Sequence, residues 1–152
     1  MNRTRRRVLI AIAIPVMSLG IFGGLVATGA IGYSTQPKVD LPDPATLAQI
    51  RAHSVEWASE NGDGTPSEGQ VVATTRNTFY QGNVDTDQPV YIVQVRGHFV
   101  GFRFPVPPGK PVRTGNYMTI VFDAAALEVT DWELAADPHD LASYGPTMSL
   151  GL

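Results

Sequence analysis

The run Val90-Tyr91-Ile92-Val93-Gln94-Val95-Arg96 decides the fold of this chain. Most of its positions hold β-branched or aromatic residues, which are enriched in strands. Side chains alternate between the two faces of a strand, and here both faces are apolar, with Gln94 the one polar residue before Arg96. A strand with one face in water carries polar residues at every second position. The run is therefore predicted to be a central strand that is covered on both faces.

Other runs rich in β-branched and aromatic residues precede and follow this strand in the sequence. Gly, Pro and Asn separate them, as expected for short strands joined by turns. Gly97 permits a bulge or a tight turn directly after the central strand. The prolines in 105–116 exclude that segment from the interior of a sheet, so it is predicted to be a loop. The predicted strands are residues 70–80, 90–96, 98–104, 117–123 and 128–134.

One helix is predicted before the strands, because Asp43 can cap it and Pro44 suits its first position. Asn61-Gly62 provides a stop. Its inward face is predicted to carry Leu47, Ile50, Ser54, Trp57 and Ala58. A helix followed by consecutive strands favours an α+β domain, with one helix packed on a four- to five-stranded antiparallel sheet.

The amino-terminal segment carries the features of a membrane-targeting signal. Residues 1–7 contain four arginines, and residues 8–33 contain no charged residue. About 20 apolar residues span a bilayer, and cationic flanks stay on the cytoplasmic side. We therefore expect 1–7 to be a cytoplasmic flank and 8–33 to be a transmembrane helix that places the rest of the chain outside the cytoplasm. The alternative for 8–33 is a cleaved signal peptide and a secreted domain.

The remaining boundaries follow from composition. Residues 34–42 contain two prolines and are predicted to be a linker, residues 43–136 to be the α+β domain, and residues 137–152 to be a short turn and a weakly ordered tail. Within the expected membrane helix, Gly20 and Gly24 have the spacing that lets two such helices approach closely. A homodimer through these glycines is one expectation.

Charge and cysteine content exclude several classes of function. Four of the 11 Lys and Arg residues precede Val8, so the remaining seven face all 14 Asp and Glu residues, which gives this part a formal net charge of −7. An acidic exterior does not suit a nucleic-acid-binding surface, which needs clustered cations. The chain contains no cysteine, which excludes a disulfide, a zinc-thiolate site and a thiol nucleophile.

The motifs of common active sites are missing from the sequence. His53, His98 and His139 form no HxH or HxxxH pair that would place two metal ligands on one element. The acidic clusters at 60–64 and 83–87 do not complete an EF-hand loop. No nucleophile elbow or nucleotide-binding glycine pattern occurs. We therefore predict no catalytic residue, no cofactor and no metal.

Aromatic residues and prolines are concentrated between residues 99 and 111. Aromatic side chains and Arg are enriched at protein interfaces, because they bury large areas at low entropic cost. We expect some of these rings to stay exposed and to form a recognition face. The predicted binding residues are Arg96, Phe99, Phe102, Arg103, Phe104 and Trp132.

Residues 117–129, Tyr-Met-Thr-Ile-Val-Phe-Asp-Ala-Ala-Ala-Leu-Glu-Val, resemble the terminal hairpin of PepSY-type domains, where a strand ends in Asp-Ala, turns and resumes at Gly-Glu-Val. Residues 90–99 and 129–132 also resemble segments of small, uncharacterised, membrane-anchored actinobacterial proteins. The resemblance covers about half of the exterior. It implies a non-enzymatic extracytoplasmic module of a kind sometimes suggested to inhibit or chaperone proteases. Where the PepSY turn usually contains Gly, this chain has Leu127.

The expected function is that of a membrane-anchored binding or accessory module with an envelope or membrane protein as its partner. One alternative is a secreted, hydrolase-like enzyme, for which His98, Asp123 and Asp131 are the first candidate groups. A purely structural envelope protein is the other alternative.

Overall fold

The computed structural model describes residues 38–84, 86–102 and 104–152. The expected membrane segment, its basic flank, Gly20 and Gly24 lie outside the described residues. Among those that are described, no helix is both long enough and apolar enough to cross a membrane. In chain order, the elements are α1 (Pro44–Glu60), β1 (Glu68–Thr75), α2 (Arg76–Phe79), β2 (Pro89–Val100), β3 (Thr114–Asp123), β4 (Val129–Ala135), a 3₁₀ helix (Leu141–Tyr144) and β5 (Thr147–Ser149).

The strands form one sheet in the order β4-β3-β2-β1-β5, and all neighbours are antiparallel. Strand β2 is central, and its residues 90–95 are all buried, which confirms the prediction made from its two apolar faces. The strand continues through Gly97 to Val100, and its register with β3 shifts between Arg96 and Phe99. Gly97 therefore marks a bulge within one strand rather than a break between two.

Helix α1 begins and ends where the sequence predicts. The Asp43 carboxylate accepts hydrogen bonds from the backbone N–H groups of Ala45 at 2.8 Å and Thr46 at 3.0 Å. This side chain satisfies two of the amides that a helix start leaves without intrahelical partners. The helix buries Ile50, Ser54 and Ala58 completely, while Leu47 and Trp57 pack against the same core cluster.

The sheet is covered on both faces, as its central strand requires. On the face that packs against α1, called here the helix face, the core includes Val71, Val93, Ile120 and Phe122. On the opposite face, called here the second face, a smaller cluster is covered by Leu141 with Phe79 and Tyr144. The sequence predicted one covering layer, the helix on one face of the sheet. The structure has a second layer on the opposite face, formed by α2 and short carboxy-terminal segments.

Further boundary predictions were wrong. The strand predicted at 98–104 ends at Val100 as part of β2, so it does not continue beyond that residue. Residues 76–79 form α2 instead of continuing the strand, because the Thr75 hydroxyl accepts a hydrogen bond from the Thr78 N–H and caps a helical turn. The segment 137–152 is not a loose tail, because β5 pairs with β1. Leu150 is only 3% exposed and lies so close to Gly69 that a β-carbon there would stand 2.8 Å from its Cδ1 atom. This contact explains how a three-residue strand is held.

The turn between β3 and β4 is built around Asp123 and Leu127. The Asp123 carboxylate accepts hydrogen bonds from the N–H groups of Ala125 and Ala126, both at 2.8 Å. Leu127 has a φ of 57°, in the left-handed region that favours glycine. The predicted hairpin therefore forms with Leu at a position of the kind that Gly normally occupies.

Truncation of Leu150 tests whether the carboxy-terminal strand contributes to the core. We expect Leu150→Ala to lower the free energy of unfolding by about 3 kcal/mol, because it leaves a cavity between β5 and β1. Urea unfolding of the full chain, followed by the fluorescence of Trp57 and Trp132, measures this loss. The control Val112→Ala, at an exposed site, should change stability by less than about 0.5 kcal/mol. Equal, small effects of both substitutions would contradict the packing described for β5.

Candidate functional site

Three aromatic rings form a continuous column at the β4 edge of the sheet. The ring centroids of Trp57 and Trp132 are 5.6 Å apart, and those of Trp132 and Phe104 are 4.4 Å apart in a stacked arrangement. The Arg113 guanidinium lies 5.2 Å from the Phe104 ring centroid, within the range of a cation–π contact. All three rings are half-buried. The column therefore joins the core beneath α1 to the surface near the proline-rich loop.

The structure separates the predicted binding residues into several groups. Phe104 and Trp132 meet in the column, and Phe102 is 66% exposed. Phe99 is 1% exposed and belongs to the core, so it does not lie on a surface. Arg96 follows the side-chain alternation of β2 onto the second face, away from the rings. Arg103 lies outside the described residues.

Three large hydrophobic residues are exposed around the proline-rich loop, namely Phe102, Val106 and Val112. We call this set of residues the loop surface. Phe102 has a ring carbon close to Gly62 at the end of α1. Between residues 99 and 122 the sequence has Arg103, Lys110 and Arg113 and no acidic residue. The loop surface thus combines exposed apolar groups with an excess of positive charge in an otherwise acidic exterior.

A polar cleft crosses the second face of the sheet. It has a volume of about 450 Å³ and lies between β1, β2 and β3 on one side and residues 138–142 on the other. An adjoining cleft of about 970 Å³ extends it towards the end of α1. The two share Glu68, Arg96, Tyr117 and Pro138. We call the combined depression the sheet cleft.

Two buried polar atoms near the sheet cleft have no hydrogen-bond partner among the described residues, namely Gln94 Nε2 and Thr119 Oγ1. Gln94 lines the cleft and is 9% exposed, and Thr119, opposite it on β3, is 1% exposed. Burying such a group without a partner costs free energy, so unpaired groups in a folded protein require a reason. No sequence motif marks this site, although Gln94 is the one polar residue in the buried run 90–95.

The walls of the sheet cleft carry charges of both signs. Arg96 Nη1 lies 3.5 Å from Glu68 Oε1, and both side chains are largely exposed to solvent. Asp137 and Asp140 stand on the carboxy-terminal wall. On the same wall, His139 pairs with Glu133 through its Nε2 atom. Acidic groups therefore outnumber basic ones, and donors and acceptors lie side by side.

At the far end of the sheet cleft, Asp63 ties the loop after α1 to the bulge in β2. Its carboxylate accepts hydrogen bonds from the backbone N–H groups of His98 at 2.8 Å and Thr65 at 2.9 Å. These bonds favour the ionised form, so the pKa of Asp63 is lowered from its usual value. Asp63 is thus a structural clamp, and the His98 ring is left exposed at the cleft edge.

The groups considered for an enzyme do not converge. Asp123 is opposite Val90, eight residues before His98 on β2, which places them roughly 25 Å apart along the strand. Asp123 is occupied in its turn, where the N–H groups of Ala126 and Ala125 lower its pKa. Asp131 accepts a hydrogen bond from the Tyr80 hydroxyl. Within the described ranges, no group of three or more His, Asp or Glu side chains is arranged to hold a metal.

Comparison with known proteins adds no relative. No family model matches the chain, and neither the curated proteins nor the solved structures include a significant match. The resemblance to PepSY-type domains therefore stays a prediction.

Replacement of the unpartnered hydroxyl tests the description of the second face. We expect Thr119→Val to raise the free energy of unfolding by about 1 kcal/mol, because it removes a buried polar atom and keeps the side-chain shape. The control Thr114→Val changes an exposed residue of the same strand and should have little effect. Urea unfolding of the full chain measures both. A clear loss of stability in Thr119→Val would mean that the hydroxyl is paired in solution.

The Asp63 clamp predicts a specific acid response. Because the folded-state pKa of Asp63 lies below the ordinary 3.8, its ionised form stabilises the fold above that pH, and the contribution is lost as the pH falls through the lowered value. We expect Asp63→Asn to be less stable at neutral pH and to show a shallower loss of stability below about pH 4. Denaturant unfolding as a function of pH, with Asp87→Asn as the exposed control, checks this. Parallel pH profiles for wild type and Asp63→Asn would rule out the clamp.

Proposed function

We propose that this chain is a single-pass, membrane-anchored protein whose extracytoplasmic α+β domain is a non-enzymatic binding module. The observation that carries the proposal is the loop surface, where Phe102 is 66% exposed and where Val106 and Val112 of the proline-rich loop are exposed as well. Leaving a large aromatic ring in water forgoes the free energy gained by burying it. An exposed apolar patch of this kind is typical of an interaction site.

The partner that fits this surface is a protein of the membrane or envelope with an apolar pocket and an acidic rim. Phe102 supplies the apolar anchor, and interface energy is concentrated in such central aromatic residues. Lys110 and Arg113 are exposed on the same loop and have no acidic neighbour between residues 99 and 122. Complementary rim charges guide association and select the partner. The remainder of the exterior, which is acidic, would repel such a partner, so the orientation of binding is defined.

The uncharged segment 8–33 and the four arginines before it support the anchor. The distance between His98 and Asp123 supports the non-enzymatic part, because a general base and its partner need hydrogen-bond reach.

Site-specific photocrosslinking tests the binding surface in the native membrane. With p-benzoylphenylalanine in place of Phe102, we expect one discrete protein adduct, whereas the same group at Gln49 on the exposed side of α1 should give none. The double variant Lys110→Glu, Arg113→Glu should reduce the adduct roughly fivefold, since it reverses the rim charge. Adducts with lipid alone, or equal adducts at both positions, would refute the proposed surface.

The mature amino terminus of the recovered protein tests the anchor separately. A start at Met1 or Asn2 supports retention of the span, and a start near Ala30 would show cleavage and a secreted domain.

A further inference from the structure

We propose that the sheet cleft is a second binding site and that its ligand is a neutral, polyhydroxylated compound, in chemical terms a saccharide. This site lies on the second face of the sheet and is lined mainly by polar residues. The loop surface of the proposed function lies around the proline-rich loop and consists of exposed apolar residues. The inference therefore stands or falls independently of the protein partner.

The floor of the cleft contains a polar side chain whose amide nitrogen has no partner in the described part of the chain. Gln94 Nε2 is a donor that the surrounding atoms cover almost completely and that has no acceptor among the described residues, while other atoms of Gln94 line the cavity. Ligand sites typically combine a cavity of some hundreds of Å³ with a few converging polar groups. The part of the cleft that Gln94 lines has a volume of about 450 Å³, which lies within that class. A rotation of the side chain that turns the amide into the cavity would let a ligand oxygen accept from it, which removes the cost of burying the amide without a partner.

The charge of the walls restricts the ligand class. An anion would meet Glu68, Asp137 and Asp140 with only Arg96 as a fixed opposite charge. A simple cation would suit those carboxylates, but it offers no acceptor to Gln94 Nε2. An apolar ligand would leave the amide unpaired. A neutral ligand with oxygen acceptors is not repelled by the three carboxylates, and it supplies the acceptor for Gln94 that a simple cation or an apolar ligand lacks.

Donors and acceptors are mixed around one aromatic ring of the cleft. A hydroxyl group both donates and accepts, so it can bond to Glu68 and to Arg96, which lie 3.5 Å apart on neighbouring strands at the sheet side of the cleft. Tyr117 pairs with Arg96 in the sheet register, is half-buried, and lines both parts of the cleft. Its ring supplies an apolar surface for the C–H groups of a sugar, and its hydroxyl supplies a polar end. A hydroxyl-bearing ring fits this combination better than a peptide, whose alternating side chains need apolar pockets.

The experiment is a titration of the full chain in a zwitterionic detergent without a sugar headgroup, with selective ¹⁵N labelling of glutamine. The probes are glucose, N-acetylglucosamine, maltotriose and triacetylchitotriose, with acetyl-trialanine amide as the peptide comparison. We expect a saccharide to shift the Gln94 side-chain amide signals in a saturable manner and to leave the Gln49 signals unchanged. Tighter binding of the trisaccharides than of the single sugars would indicate a polymeric glycan as the source, and the reverse order would indicate a free sugar.

The variant Gln94→Leu should bind the saccharide about tenfold more weakly, which corresponds to the loss of one hydrogen bond, while Gln49→Leu should bind as the wild type does. The wild-type amide signals report on the site even where a variant fails to fold. The absence of any shift with all four saccharides, a response to the peptide alone, or unchanged affinity in a folded Gln94→Leu protein would each overturn the proposal.

Discussion

Burial of β2 on both faces is the constraint on which the rest of the structure depends. The apolar residues at 90–95 stabilise the folded state only where both faces of the strand are covered. Each fully buried Val or Ile contributes about 1.5 to 3 kcal/mol to stability. Helix α1 covers one face. No second long helix lies among the described residues, so short pieces cover the other face, and the most buried of them is Leu141. The shape of the second face therefore results from incomplete cover.

Incomplete cover explains why the sheet cleft lies where it does. Leu141 reaches the cluster around Val72 and Ile92, whereas residues 137–140 pass over the sheet near Arg96 and Tyr117 without filling the space beneath them. Gln94 lies at this boundary, largely buried by its neighbours, and part of the residue lines the cavity. The same carboxy-terminal segment thus completes the core and forms one wall of the cleft, so that a ligand there would stabilise the docking of that segment.

Periodicity and cap chemistry were sufficient to predict the local elements. Asp43 and Pro44 determined the start of α1, and the two apolar faces of 90–95 determined the centre of the sheet, because each signal arises from neighbouring residues. The docking of β5 depends on Leu150 reaching Gly69, which is a contact between residues 81 positions apart in the sequence. Nothing in the sequence Thr147-Met148-Ser149 specifies that distant contact, so the segment was predicted to be a tail. Likewise, Phe99 and Phe102 are alike in sequence, but Phe99 lies within β2 and Phe102 lies beyond the end of that strand at Val100, which separates the buried ring from the exposed one.

The two faces of the sheet place opposite demands on the sequence. On the helix face, every apolar side chain contributes to stability, and Phe104 extends that packing through Trp132 to the surface. On the second face, Gln94 and Thr119 forgo stability that Leu and Val would provide at the same positions. A domain without disulfides depends on its core, so polar groups that weaken the core need a compensating role. Recognition of a ligand in the sheet cleft supplies such a role, because a group left unpaired in the free protein makes its full hydrogen bond only when the ligand binds.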